Sequence, residues 1–582
     1  MSDRDPALHE RVLRWIADDP DAASRSELEQ LIAAQDWAAL GERFAAPLAF
    51  GTAGLRGEIG AGPARMNRAL VARASAGLCR ELEAEVPRAK ERGLCIGFDA
   101  RRGSREFAEE TAAVAAGLGF RVHVFEQPGP TPLLAFAVLE RAAAGGVMVT
   151  ASHNPARDNG YKVYWENGAQ IVPPHDLSIA AAMLAVPSVL ALPRLDPHER
   201  RARGLEQPVG VEIEARYLQG VRALAGQRTP NAGALALAYT ALHGVGSRLV
   251  RAALADAGFT RIASVVEQDE PDPEFPTVAF PNPEEPGAMD RALALGEQVH
   301  ADLVIANDPD ADRLALAART RSGRLQMLTG NQTGVLLAEH VLSSLARART
   351  DDRPAVVLSS LVSTPMIASV ARAHGASWEP TLTGFKWICN RAMQLERERG
   401  LRFAFGFEEA LGYSAGTLVR DKDGISSAVL AANLAADLKV QGRTLHELLE
   451  DLYRRHGMYV SSQIALRLHA DAQQSLMNAA RSRPPATLAG LRLRATIDAL
   501  HGTVSGEPSF RPELPPSDML IWELDGGHRI CVRPSGTEPK LKLYLDVREP
   551  VRGEEPVAVA AERAAATLEA LAGALSAYAA EA

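Results

Sequence analysis

Apolar positions along this chain fall into two alternating rhythms: runs of four or five residues, and longer stretches with helical spacing. Leu94–Phe98, residues 121–125 and residues 147–150 read as short buried strands, and the Ala-rich stretch 107–118 reads as a helix between the first two. The rhythm returns with strands at 234–239, 262–266 and 303–306 and helices at 247–257 and 288–298. It returns again with helices at 333–347 and near 365–373 around a strand at 356–359. Alternation of this kind predicts α/β layers. Three segments of similar size predict three related domains, 45–207, 208–322 and 323–455. Residues 7–44 read as helices, with Ser26 and Glu29 at capping-box spacing before the stripe Leu28, Leu31 and Ile32, so 1–44 is expected to be a helical extension. The Arg/Pro-rich stretch 479–487 interrupts the last part. Strand-like runs at 491–497, 519–523, 529–532 and 542–547 follow, then an Ala-rich helix from about 555, so 456–582 reads as an α+β domain.

Composition narrows the picture. The 582 residues suggest roughly three to five domains, and 47% hydrophobic with 23% charged residues is enough to bury large cores. The formal charge is −9 with no Lys/Arg-rich block, which argues against nucleic acid as a partner. An anionic substrate would need local cations, since the overall field repels it. Four cysteines, Cys79, Cys95, Cys389 and Cys531, lie far apart without a CxxC pair. That argues against a zinc site or a disulfide framework and fits a reducing cytoplasm. With no signal-peptide h-region and no run of about 18 apolar residues, no membrane segment is expected.

Four segments carry candidate chemistry. In Thr150-Ala151-Ser152-His153-Asn154-Pro155 a hydroxyl follows a buried strand, and Asn-Pro turns the chain directly after it. Ser152 would thus be presented at the strand's carboxyl end; the alternative is a polar turn. In Asp308-Pro309-Asp310-Ala311-Asp312-Arg313 three carboxylates at alternate positions on a tight loop can converge on one hard cation. An EF-hand needs Gly at loop position six and Glu at twelve, where this chain has Arg313 and Arg319. A haloacid-dehalogenase DxDx[TV] pattern fails on Asp312 and Leu314 at its fifth position. In Arg533-Pro534-Ser535-Gly536-Thr537-Glu538-Pro539-Lys540 an arginine, two hydroxyls and a glycine form a candidate phosphate cradle. In Gly406-Phe407-Glu408-Glu409-Ala410-Leu411-Gly412-Tyr413, paired carboxylates suit vicinal sugar hydroxyls, with an exposed helix N-terminus as the alternative that the residues alone favour, and Asp421-Lys422-Asp423-Gly424 follows.

Together these segments resemble the α-D-phosphohexomutase superfamily, in order and over nearly the whole chain. They resemble, respectively, its phosphoserine, magnesium, phosphate-binding and sugar-recognition loops. Phe50-Gly51-Thr52-Ala53-Gly54-Leu55-Arg56-Gly57, Gly97-Phe98-Asp99-Ala100-Arg101, Asp158-Asn159-Gly160-Tyr161-Lys162 and Thr383-Gly384-Phe385-Lys386 also look like family segments. The helical extension and the wording FEEALGY with DKDGI look most like a phosphoglucomutase-2-type branch. The resemblance implies an α/β fold: three similar α/β domains with mixed sheets plus a C-terminal α+β domain, around a central cleft.

The resemblance also implies a reaction. Phosphorylated Ser152 would donate its phosphoryl group to a sugar hydroxyl, giving a sugar bisphosphate that turns round and returns the other phosphoryl group to Ser152. One Mg²⁺ is expected on Asp308, Asp310, Asp312 and a phosphoserine oxygen, with Arg313, Arg56 and His153 offsetting the remaining charge. Lys162 is the candidate general acid/base, helped by His153. Glu408, Glu409, Thr383, Gly384 and Lys386 are expected at the sugar, and Arg533, Ser535, Gly536 and Thr537 at the non-reacting phosphate. The leading expectation is exchange between sugar 1- and 6-phosphates in a monomer or dimer. Ala410 stands where many phosphoglucomutases have a serine, which keeps phosphopentomutase and glucose-1,6-bisphosphate synthase as alternatives. A metal-dependent phosphatase and a non-catalytic sugar-phosphate sensor are the rivals from other classes.

Overall fold

The computed structural model describes residues 5–51, 54–226, 229, 231–348, 351–534 and 540–581. The chain forms two compact units, each discontinuous in sequence: Met1–Ala317 with Gly412–Asp437, and Ala318–Leu411 with Leu438–Ala582. The segment 412–437 lies within the span expected to be the third α/β domain, yet it packs in the first unit.

The first unit opens with three helices, Pro6–Asp18, Ala22–Ala33 and Trp37–Phe44, joined through Leu8, Val12, Leu28, Leu40 and Phe44. The expected capping box at Ser26 and Glu29 is corrected. The second helix is capped five residues earlier, where extended Asp21 accepts from the Ser24 amide, a cap worth about 1 kcal/mol. Ser26 lies inside the helix and accepts from Gln30. The sheet that follows runs in the order Leu55–Glu58, Asp158–Trp165, Gly145–Val149, Leu94–Phe98, Val122–Phe125, Glu206–Val209. The last four strands are parallel, and Asp158–Trp165 runs antiparallel to both of its neighbours, so the sheet is mixed. Period-two alternation along Asp158–Trp165 sends Tyr161 to one face, where its hydroxyl meets Ser75 of helix Arg68–Glu85 at 2.9 Å. Lys162 and Tyr164 hydrogen-bond elsewhere, to the aspartate loop and to Asp421.

Three parallel strands, Leu303–Ala306, Ala236–Thr240 and Arg261–Ser264, carry the next layer. The expected strand 262–266 ends early. A short helix, Val266–Asp269, turns Gln268 inward to accept from Thr240 and donate to Thr277, and leaves Val266 exposed.

The second unit holds the parallel strands Ser377–Thr381, Ala355–Ser360 and Arg402–Glu408. It also holds an antiparallel sheet in the order Met458–Arg467, Lys540–Glu549, Arg529–Pro534, Leu520–Leu524, Leu491–Asp498, Thr487–Leu488. The terminal helix Val557–Glu581 packs on this sheet through Leu571 and Leu575 beside Trp522, and the whole segment is α+β as expected. The stretch 479–487 is only partly an interruption. Helix Ala470–Ser482 runs into it before Pro484 and Pro485, and Arg481 pairs with Asp498 and Asp518.

All four cysteines are buried and free, and burial pushes the Cys79, Cys95 and Cys531 thiols up to about 12. Among the described residues no helix is long and apolar enough to cross a membrane.

Candidate active site

Chemistry gathers where strands end, as open parallel sheets favour. In the first unit Gly145–Val149 ends in the Ser152 loop and Leu303–Ala306 ends in the aspartate loop. Ser152 holds a left-handed backbone at φ 53°, an uncommon state for a residue with a Cβ. Its amide donates to Thr150 Oγ1 at 2.9 Å, and Thr150 donates to buried Asp99 at 2.6 Å. Arg101 fastens the loop from outside. Its guanidinium donates to the carbonyls of Ser152 (2.6 Å), Asn154 (2.6 Å), Pro155 (2.8 Å) and Asp158 (3.2 Å). Arg56 adds a bond to Asn154 Oδ1 at 3.1 Å.

So held, Ser152 Oγ donates to Asp308 Oδ2 at 2.7 Å and lies 3.2 Å from His153 Nδ1. Burial above all, with Arg313 and Arg56 beside it, holds His153 well below the usual imidazole value. The ring stands within hydrogen-bond reach of the serine hydroxyl.

Asp308, Asp310 and Asp312 are fully buried, and one carboxylate oxygen from each lies within 4.8 Å of the others. Ala311 turns the loop at φ 53°, and Gly424 packs against it. A Cβ on Gly424 would stand 2.3 Å from the Arg313 carbonyl, so only glycine fits there. Three carboxylates this close need compensation. Lys162 Nζ donates to Asp310 Oδ2 at 2.7 Å and Asp312 Oδ2 at 3.0 Å, while Lys422 Nζ lies 3.3 Å from Asp312 Oδ2. The Arg313 guanidinium stands 3.9 and 4.0 Å from Asp312 and Asp308. Thr131 donates to Asp310 Oδ2 at 2.5 Å. Burial is the largest influence on Lys162 and opposes its charge, but Asp310 and Asp312 together outweigh it and raise its pKa. Burial, then the charges of Asp310 and Asp312, raise the Asp308 carboxyl well above the usual range.

Oδ1 of Asp310 and Oδ1 of Asp312 are buried without a hydrogen-bond partner. Orphaned hard oxygens in a triad whose third member meets Ser152 Oγ suit a hard divalent cation, so the donor set fits Mg²⁺.

In the second unit the paired glutamates end strand Arg402–Glu408 and diverge. Glu408 Oε1 accepts from the Gly384 amide at 2.6 Å, tying two expected sugar segments together. Glu409 Oε2 accepts from Ser360 and Ser363 at 3.0 and 2.9 Å. Thr383 Oγ1 is buried without a partner, a hydroxyl suited to a sugar. Lys386 is buried at the second position of helix Phe385–Arg399. Arg533 donates to the Tyr544 hydroxyl at 3.3 Å, and its Nε is buried without a partner. Burial raises the Tyr544 phenol, Arg533 opposes that and Glu409 adds to it, so the three groups share one neighbourhood. Ser535, Gly536 and Thr537 lie outside the described residues, as do Thr52 and Ala53.

Sequence reasoning named neither Thr131, Ser360 nor Ser363 and gave Asp99, Arg101 and Lys422 no role. The segments GFDAR and DKDG were the only signals for Asp99, Arg101 and Lys422. Tyr164 and Gln170 bond Asp421 at 2.6 and 2.7 Å, and Tyr217 bonds Asp423 at 2.8 Å, which delivers Lys422 to the aspartates.

Family models describe this assembly. Phosphoglucomutase/phosphomannomutase α/β/α domains I, II and III match residues 47–188, 215–323 and 329–456. A Schizosaccharomyces pombe protein named "Probable phosphoribomutase" is 38% identical over 562 residues, 94% of each chain. A Haemophilus influenzae protein named "Probable phosphomannomutase" is 39% identical over 499 residues, covering 84% of this chain and 94% of that one. A solved phosphoglucomutase/phosphomannomutase family protein of Burkholderia thailandensis shares the fold at a TM-score of 0.65 and 18% identity, over 90% of this chain and 96% of that one. The serine loop, the buried aspartate triad and the three matched domains thus place the chain in the phosphoglucomutase/phosphomannomutase family of the α-D-phosphohexomutase superfamily, whose members are isomerases that move a phosphoryl group.

Proposed function

We propose that this enzyme interconverts a sugar 1-phosphate and the phosphate of the same sugar's terminal carbon, through phospho-Ser152 and a sugar bisphosphate. The observation that carries the reading is Ser152 Oγ donating at 2.7 Å to Asp308, one member of a buried aspartate triad whose other two members each keep an unpartnered oxygen. A hydroxyl in that setting is built to carry a phosphoryl group, not to close a turn.

In the forward half-reaction the P–O bond to Ser152 Oγ breaks as a bond to the sugar oxygen forms. The sugar hydroxyl loses its proton, and Ser152 Oγ takes one up. His153, with Nδ1 at 3.2 Å, can pass a proton to that oxygen. Charged Lys162 and Arg313 stabilise the transferring group, so Lys162 acts first as a donor. Asp308, Asp310, Asp312 and a Ser152 phosphate oxygen would hold Mg²⁺, which when bound supplies Lewis-acid polarisation of the phosphoryl group. Glu408, Glu409, Thr383 and Lys386 recognise the sugar. Arg533 holds the non-reacting phosphate, joined by Ser535, Gly536 and Thr537.

The preferred sugar is a pentose. Ala410 removes a hydroxyl next to the paired glutamates, and the Schizosaccharomyces pombe relative named for ribose matches over 94% of this chain. The relative named for mannose supports a hexose as the second reading, with glucose 1,6-bisphosphate as primer or product. The test is a side-by-side assay of ribose 1-, glucose 1- and mannose 1-phosphate with a sugar bisphosphate primer. A higher kcat/KM for ribose 1-phosphate supports the pentose reading, and a higher value for either hexose overturns it. Release of inorganic phosphate without isomerised sugar would overturn the mutase reading itself.

A further inference from the structure

Arg529 begins strand Arg529–Pro534 and is almost wholly buried, its side chain 3% exposed. Its Nη2 donates to Asp546 Oδ2 and to the Ser363 carbonyl, both at 2.6 Å, and its Nε donates to Asp546 at 3.0 Å. Its Nη1 has no partner. A guanidinium nitrogen left unbonded in the interior costs about 1–3 kcal/mol unless something else accepts from it.

Arg529 lines a cavity of about 350 Å³ within the second unit, a volume at the lower end of the roughly 300–1,000 Å³ usual for small-molecule sites. Arg372, Arg494 and Arg548 line it too, and Glu523 is the one carboxylate among the described residues of its wall. Glu523 already accepts from the Ser509 amide and hydroxyl at 2.6 and 2.5 Å, and Asp546 offsets Arg529. Cations therefore outnumber carboxylates in the wall. Arg548 is held by a bond from Nε to the His456 carbonyl at 3.2 Å, and Arg494 stands 4.0 Å from Glu507 at the rim. Two rings close one side: Trp378 and Phe510 meet edge to face at 5.3 Å, and Trp378 Nε1 is fixed by Ser359 Oγ at 3.0 Å. None of Glu408, Glu409, Thr383, Lys386 or Arg533 is in the wall. Arg533 lies four residues further along the strand, about 13 Å away at strand rise.

Arginines with one unsatisfied buried donor suit a phosphate, and a fixed aromatic pair beside them suits a planar ring. We propose that this cavity is a second, non-catalytic site for a phosphorylated aromatic metabolite of nucleoside monophosphate size. The phosphate sits on Arg529 and the neighbouring arginines, and the base lies against Trp378 and Phe510. Arg529 also anchors Ser363, whose hydroxyl seats Glu409, so this site and the sugar-recognition loop share one anchor.

Calorimetric titration of the full-length protein with adenosine 5′-monophosphate tests the site. Saturable binding is expected, undisturbed by saturating glucose 1,6-bisphosphate. It should weaken about tenfold or more in the double variant Arg372→Ala/Arg494→Ala, which removes two charge-assisted contacts from exposed residues. That variant should keep its melting temperature and its mutase kcat and KM without the nucleotide. Trp378→Leu should weaken binding independently. No binding up to millimolar nucleotide, displacement by the bisphosphate, or equal affinity in the double variant would each overturn the proposal. The variant arm decides the matter whichever sugar the enzyme isomerises.

Discussion

The Arg101 guanidinium donates to the Ser152 carbonyl at 2.6 Å, and the same side chain holds three more carbonyls of the loop that presents the serine. A reactive hydroxyl on a left-handed residue stays put only if its surroundings over-determine it, and four bonds from one rigid planar group do that. Arg101 touches no reacting atom, so it is a positioning residue. Arg101→Lys keeps the charge and loses the fork. It should lower kcat by about 10–100-fold with little change in KM, as a misplaced reacting group does. Unchanged kcat in steady-state assays would remove Arg101 from the account.

Ser152 itself is the phosphoryl carrier in the proposed cycle. Ser152→Ala should abolish turnover, at least about a thousandfold, while leaving the melting temperature within a few degrees. Mass spectrometry of the wild-type protein after incubation with a sugar bisphosphate should find phosphate on Ser152. A variant with a near-normal rate would be fatal to the assignment.

The orphaned oxygens of Asp310 and Asp312 make the metal testable apart from catalysis. Mg²⁺ titration should show one site per chain, and Asp312→Asn should weaken it by about tenfold or more. Chelation should stop turnover and added Mg²⁺ restore it. Equal Mg²⁺ affinity in wild type and variant would place the ion elsewhere.

Gly330 opens helix Gly330–Ala348, and a Cβ there would stand 1.7 Å from the Glu409 carbonyl. Gly330→Ala must push the glutamate loop aside, at about 1–3 kcal/mol. The sugar phosphate KM should rise while Mg²⁺ affinity holds, because the strain falls on the sugar loop. A variant with wild-type KM would show that Glu409 does not read the sugar.

Arg533 has a buried Nε without a partner and only a 3.3 Å bond to Tyr544. Arg533→Ala should raise KM for the sugar phosphate by about tenfold or more and leave Mg²⁺ binding alone. Should KM stay level, the non-reacting phosphate is held elsewhere.

Much was legible in the amino-acid sequence because the underlying physics is local. The strand Leu303–Ala306, the loop of alternate aspartates after it and the turn at Asn154-Pro155 each follow from neighbours a few residues apart. Alternation of apolar runs with helical spacing likewise determined the α/β layers and the α+β end. Even here local signals misled where a stronger partner lay nearby, as when Asp21 capped the helix assigned to Ser26. The tertiary structure alone decided the rest. Ser152 meets Asp308 across 156 residues, Lys162 meets Asp310 across 148, and Arg101 reaches the serine loop from another strand end. Buried charge explains why: each of these groups must find an opposite partner or a donor once water is gone. Which partner it finds depends on chain crossings that no local spacing records. The downward shift of His153 and the return of Lys422 to the aspartates follow from that burial, and they exist only in the folded chain.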